Sequence, residues 1–117
     1  MPNFSIKHED EVRLRHILDA TIEIQQYIQS ATREDLNRDR KLVHSLVRLL
    51  EIIGEAANQV SEELRDNVPE IPWPVLIGMR NRLIHAYFSI NLDVVWSTST
   101  EDVPSLITEL KRLLGKD

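Results

Sequence analysis

The stretch MRNRLIHAYF, residues 79–88, gathers Arg80, Asn81, Arg82, His85 and Tyr87 on a short length of chain. Arginine offers a fixed fork of N–H donors that matches phosphate oxygens, where negative charge grows as phosphorus is attacked. Histidine titrates nearest neutral pH, so one imidazole can accept a proton while another donates one. RNA brings its own nucleophile, the 2′-hydroxyl. Together these groups suit cleavage of a phosphodiester without a metal. Residue types alone leave a second reading open, an ordinary solvated Arg/Asn/His face.

If the stretch is one regular helix, Asn81 and His85 lie about 40° apart around the axis and Arg82 about 60° from His85. Arg80 falls about 140° from His85, too far for one undistorted helix to aim both at a small target. Two copies crossing antiparallel would bring each Arg80 near the other chain's His85. A two-fold dimer is the commonest way to build such a shared pocket.

Other chemistry is poorly supported. His8, His16, His44 and His85 are scattered, with no His-x-x-x-His pair and no carboxylate at ligand spacing, so neither a metal nor another cofactor is expected. Glu51 and Glu55 share a helix face at a spacing that di-iron bundles use, but the Glu-x-x-His pairs such sites need are missing. A salt bridge to Arg48 or Arg80 is the favoured role for them. GEAA, residues 54–57, lacks a phosphate loop's glycine pattern and lies inside a helix. Trp73 and Trp96 could stack bases, but core packing is favoured for both.

The elements that must position these groups read as helices. The chain has 117 residues, enough for one domain, 1–117, with a modest core. Its 42% apolar and 28% charged residues are those of a globular protein, and three glycines with five prolines predict long elements. The absence of cysteine removes disulfides and thiolate metal sites and fits a reducing cytoplasm. MPNFSIKHEDEV has no apolar core segment, so no secretory signal is expected, and no apolar run approaches the roughly 20 residues of a membrane helix. A net charge of −5 argues against a broad polyanion-binding surface but leaves room for a local basic pocket.

Leu14, Ile17, Leu18, Thr21, Ile24 and Ile28 form one stripe, which predicts a helix over residues 8–29. Residues 30–39 break the pattern, with Thr32 or Asp35 as caps. A second stripe from Leu42 to Leu64 predicts a helix over 40–64, about 37 Å long. In it Gly54, Ala56 and Ala57 mark where a neighbour could come close. RDNVPEIP ends that helix, and a third starts near PWPVL, with Pro74 in its first turn, and runs to about Tyr87. Asn91 caps a fourth holding Leu92, Val95 and Trp96. Pro104 kinks that run or begins a separate helix, whose stripe is Val103, Leu106, Ile107, Leu110, Leu113 and Leu114, with a stop at Gly115. No alternating strand pattern appears. The predicted fold is all-α, an antiparallel up-and-down four-helix bundle with a bent or split last helix.

RNRLIH, in which Arg80 and Asn81 are followed by three residues and His85, resembles the Arg-(four to six residues)-His signature of the HEPN superfamily of all-helical ribonucleases. The longer RNRLIHAY looks like its HepT-like branch, the toxin half of a bacterial toxin–antitoxin pair. LLEIIGEAA (49–57), PEIPWPVLIGMRNRLIHAYF (69–88), VVW (94–96) and VPSL (103–106) follow that family's order, so the likeness covers roughly residues 40–110. The resemblance implies a metal-independent endoribonuclease with Arg80 and His85 as the catalytic pair and Asn81 positioning the pair or the scissile phosphate. It also implies a homodimer with a composite site, an RNA substrate, and a minimal nucleotidyltransferase antitoxin that attaches AMP to Tyr87. An added phosphate and adenosine there would fill the groove and repel an RNA backbone. FSINLD after Tyr87 departs from the relatives' pattern, and Arg82, a second arginine inside the motif, is a candidate RNA contact. The alternative function is a non-catalytic companion that presents nucleotide or substrate to the nucleotidyltransferase. A dimeric helical scaffold whose motif is only surface is the blandest.

Overall fold

The computed structural model describes residues 5–84 and 89–115. Helix α1, His8–Ile28, carries Glu9, Asp10 and Glu11 in its first turn, where carboxylates face the positive end of the helix dipole. Its predicted stripe is buried from Leu14 to Ile24. A 3₁₀ turn, Arg33–Asn37, follows. In it the Asp35 carboxylate reaches back to accept from the Thr32 N–H at 2.8 Å, so both expected capping residues act on this turn. The cap of α2, Arg40–Gln59, is Asp39, which accepts from the Leu42 N–H at 3.0 Å. The short connection makes α1 and α2 antiparallel neighbours, and they pack along each other extensively.

Helix α2 ends at Gln59 rather than continuing to residue 64. Val60 turns extended, and Ser61 starts a new short helix, α3, Glu62–Asn67, by accepting from the Leu64 N–H at 3.2 Å. Ser61 also donates its backbone N–H at 2.8 Å to the buried carboxylate of Asp10. That contact ties the start of α1 to the α2–α3 corner. Val60 and Leu64 remain buried across the break, which is why the apolar stripe gave no sign of it.

The third limb is also broken. Helix α4, Trp73–Ile77, has Pro74 in its first turn, and α5, Met79–Leu83, follows after Gly78 at φ −83°, ψ 7°. Gly54 of α2 lies under this limb: a Cβ there would sit 2.8 Å from the Leu76 carbonyl oxygen. A glycine is therefore required for α4 to lie this close. The helix expected to run to about Tyr87 stops at Leu83, and residues 85–87 of that expected span lie outside the described residues. After Leu83, Ile84 is extended at φ −98°, ψ 108° and pairs with Ile90 in an isolated antiparallel bridge, while the Asn91 N–H donates to the Leu83 carbonyl at 2.7 Å.

Asn91 caps α6, Leu92–Ser97, as its position predicts, accepting from the Val94 N–H at 3.1 Å. The chain then passes without an extended break through a π turn, Thr98–Asp102, into α7, Val103–Leu114, with Pro104 in the first turn and Gly115 closing it in the left-handed conformation at φ 71°. The last limb, predicted to be bent or split, is thus interrupted by a π turn. α7 packs on α1, and α2 on α4 and α5. The fold is an all-α bundle of four helical limbs, with no β-strand beyond the isolated bridge among the described residues. Among those residues no helix is long and apolar enough to cross a membrane.

Candidate functional site

Helix α5 is five residues long, too short to hold itself together, and is fixed by what it buries. Met79 and Leu83, four apart and both fully buried, pin one face to the core. The three residues between them, Arg80, Asn81 and Arg82, are left exposed. The polar end of the motif is therefore presented outward by a pair of core anchors.

Arg80 has 79% of its side chain exposed, and its Nε lies 3.7 Å from Glu51 Oε2 on α2. Glu51 is the more enclosed partner, with 22% of its side chain exposed. At this separation the contact is an ion pair rather than a hydrogen bond. Arg48 and Glu55 form a second pair on the same side of α2 at 3.5 Å. The two pairs line a cleft of about 250 Å³ between α2 and the α4–α5 limb, with Ile77 and Asn58 on its walls. The salt-bridge role expected for Glu51 and Glu55 is what the structure shows. Asn58 was not singled out in the sequence. Its place one turn beyond Glu55 and two beyond Glu51, on one helix face, is the signal that would have found it.

Two arginines and two glutamates make this cleft locally neutral. Glu51 occupies the side of Arg80 that an incoming phosphate would also seek, so an anion must compete with it. Arg82 is exposed and has no ion-pair partner among the described residues. His85 and Tyr87 lie outside the described residues. The angular separation of Arg80 and His85, however, assumed a helix running through both. With the helix ending at Leu83 and Ile84 extended, that premise fails, and helical phase no longer keeps the two apart within one chain.

Trp73 is buried and donates its indole N–H to the Val68 carbonyl at 2.9 Å, and Trp96 packs partly buried against the core. Both serve packing, as favoured from the sequence. Among the described residues no group of three or more His, Asp or Glu side chains is placed to hold a metal ion.

Comparison with known proteins places these observations. Residues 17–113 match the family described as Ribonuclease HepT-like. A protein of Caldanaerobacter subterraneus named as a candidate RNase is 36% identical over 104 residues, 89% of this chain and 93% of its own. One of Thermococcus cleftensis named Probable ribonuclease HepT is 36% identical over 108 residues, 92% of this chain and 98% of its own. One of Methanocaldococcus jannaschii, also named as a candidate RNase, is 30% identical over 115 residues, 95% of each chain. No solved structure matches.

Proposed function

Because this chain belongs to the HepT-like ribonuclease family, we propose that it is a metal-independent endoribonuclease and the toxin of a toxin–antitoxin pair. The observation that carries this reading is the family match across the whole Arg80–His85 motif, joined to an Arg80 that α5 holds out into a cleft.

In the reaction the 2′-oxygen of RNA attacks the adjacent phosphorus. A 2′-O–P bond forms, the P–O5′ bond breaks, and the products are a 2′,3′-cyclic phosphate and a 5′-hydroxyl. His85 of one subunit takes the 2′-hydroxyl proton, and the other subunit's copy of that histidine protonates the leaving 5′-oxygen. Arg80, drawn from Glu51 to the phosphate, offsets the charge that grows on the non-bridging oxygens. Asn81, one residue on and also exposed, positions the catalytic pair or the scissile phosphate. Arg82 supplies a further contact to the RNA backbone. The working form is a homodimer with a composite site.

Control falls to a nucleotidyltransferase antitoxin that transfers AMP from ATP to the Tyr87 phenol, releasing pyrophosphate. The adduct adds negative charge two residues beyond His85 and repels RNA. Mass spectrometry after incubation with that partner and ATP tests this part on its own. An adduct on another residue, or none, removes it.

The neutral cleft and the net charge of −5 favour a second reading, a non-catalytic companion that presents nucleotide or substrate to the nucleotidyltransferase. Labelled single-stranded RNA in EDTA separates the two. The nuclease yields fragments ending in 2′,3′-cyclic phosphate, whereas the companion yields none at any protein concentration.

A further inference from the structure

A second concavity lies on the other side of the α4–α5 limb, about 360 Å³ in volume, between that limb and the π turn with the start of α7. Its floor is apolar, formed by Leu50, Ile53, Leu76, Met79 and Leu106. Val75, 41% exposed, stands at its edge and is one of two exposed large apolar side chains among the described residues. The rim is acidic: Glu70, Glu101, Asp102 and Glu109. Glu109 is met by Arg112 at 2.6 Å, and its hydrogen bond and charge hold that guanidinium's pKa above the usual value. Glu70, Glu101 and Asp102 have no ion-pair partner among the described residues.

Thr98, in the π turn, also lines this groove. It is 1% exposed, and its hydroxyl has no hydrogen-bond partner among the described residues. Its neighbour Thr100 donates to the Trp96 carbonyl at 2.8 Å, the ordinary solution for a helical threonine. A buried hydroxyl left unpaired costs about 1–3 kcal/mol, and the Ser99 hydroxyl of the same turn is likewise buried and without a partner among the described residues. π turns inside helices recur at functional sites.

We infer that this groove docks a basic peptide segment of another protein, with an aliphatic side chain on the apolar floor and Lys or Arg side chains on the rim. The acidic rim repels phosphate, so the occupant is polypeptide and not RNA. This site is independent of the nuclease reading. It shares no lining residue with the Arg80 cleft, although both are built on α2 and the α4–α5 limb: Leu50, Ile53, Val75, Leu76 and Met79 face the groove, and Glu51, Glu55, Ile77 and Arg80 the cleft.

The test is selection of short random peptides on the full chain, followed by fluorescence anisotropy of the best peptide and sedimentation of the protein alone. The expected peptides carry Lys or Arg flanking Leu or Ile. Their affinity falls with added salt and falls by about tenfold in the Glu101→Lys/Asp102→Lys double variant, two rim charges reversed at the strength of exposed ion pairs. Failure to enrich any peptide, enrichment of peptides without basic residues, or unchanged affinity in the double variant overturns the proposal. So does a change of oligomeric state in that variant, which would give the face to a second copy of this chain.

Discussion

Arg80 on α5 and Glu51 on α2 face each other across the cleft, with Nε 3.7 Å from Oε2. The arginine is mostly in solvent and the glutamate mostly enclosed, so the glutamate sets where the guanidinium rests. A phosphate reaching Arg80 must outbid that carboxylate. The pair stores little energy, since exposed ion pairs are worth about 0.2–1 kcal/mol.

Glu51→Gln removes the competing charge while keeping the side chain's size. KM for RNA is expected to fall about two- to fivefold, the range one exposed ion pair supports. Steady-state cleavage kinetics check this. A raised KM would mean that Glu51 helps bind substrate and does not compete with it.

Gly54→Ala places a methyl group 2.8 Å from the Leu76 carbonyl, a backbone atom that cannot rotate away. Helix α4 must shift, and the fold is expected to lose about 1–3 kcal/mol, as for other overpacked cores. Chemical denaturation measures the loss. Since α4 carries α5, cleavage should fall with it.

Ser61→Ala removes the cap of α3 and one hydrogen bond to the buried Asp10 carboxylate. The expected destabilisation is about 1–3 kcal/mol, read from the denaturation midpoint. Cleavage by the folded fraction should be unchanged, because this corner is built by α1, α2 and α3 and contributes nothing to the Arg80 cleft.

Thr98→Val replaces the unpaired buried hydroxyl by a methyl group of similar shape. Stability is expected to hold or to rise by up to about 1 kcal/mol, because no partner among the described residues is lost. A clear fall in the melting temperature would mean that the hydroxyl is bonded within the fold.

Much of this architecture is legible in the sequence because burial imposes period. The stripes of α1, α2 and α7, the Asn91 cap and the Gly115 stop are local signals whose physics does not depend on the rest of the chain. The Arg48–Glu55 pair is local to α2 and legible in the same way, whereas the Glu51–Arg80 pair joins two helices and rests on how they pack. The breaks were not. Ala57 and Leu64 are buried on either side of the kink at Val60–Ser61, and Leu76 and Met79 on either side of Gly78, so the apolar pattern runs through both breaks. Ser61 ahead of Glu62 and Glu63 was the missed cap signal. The extended Ile84 follows from its pairing with Ile90, a contact between residues that helical spacing cannot relate. The groove beside Thr98 was hidden too, because it depends on how the fourth limb meets the third.

The central claim is that Arg80 and His85 together cut RNA without a metal. Cleavage of single-stranded RNA in EDTA by the native chain, Arg80→Ala and His85→Ala, each checked for dimer mass by light scattering, tests it most directly. The account expects cutting by the native chain alone and an intact dimer in all three. Undiminished cutting by either variant would contradict it.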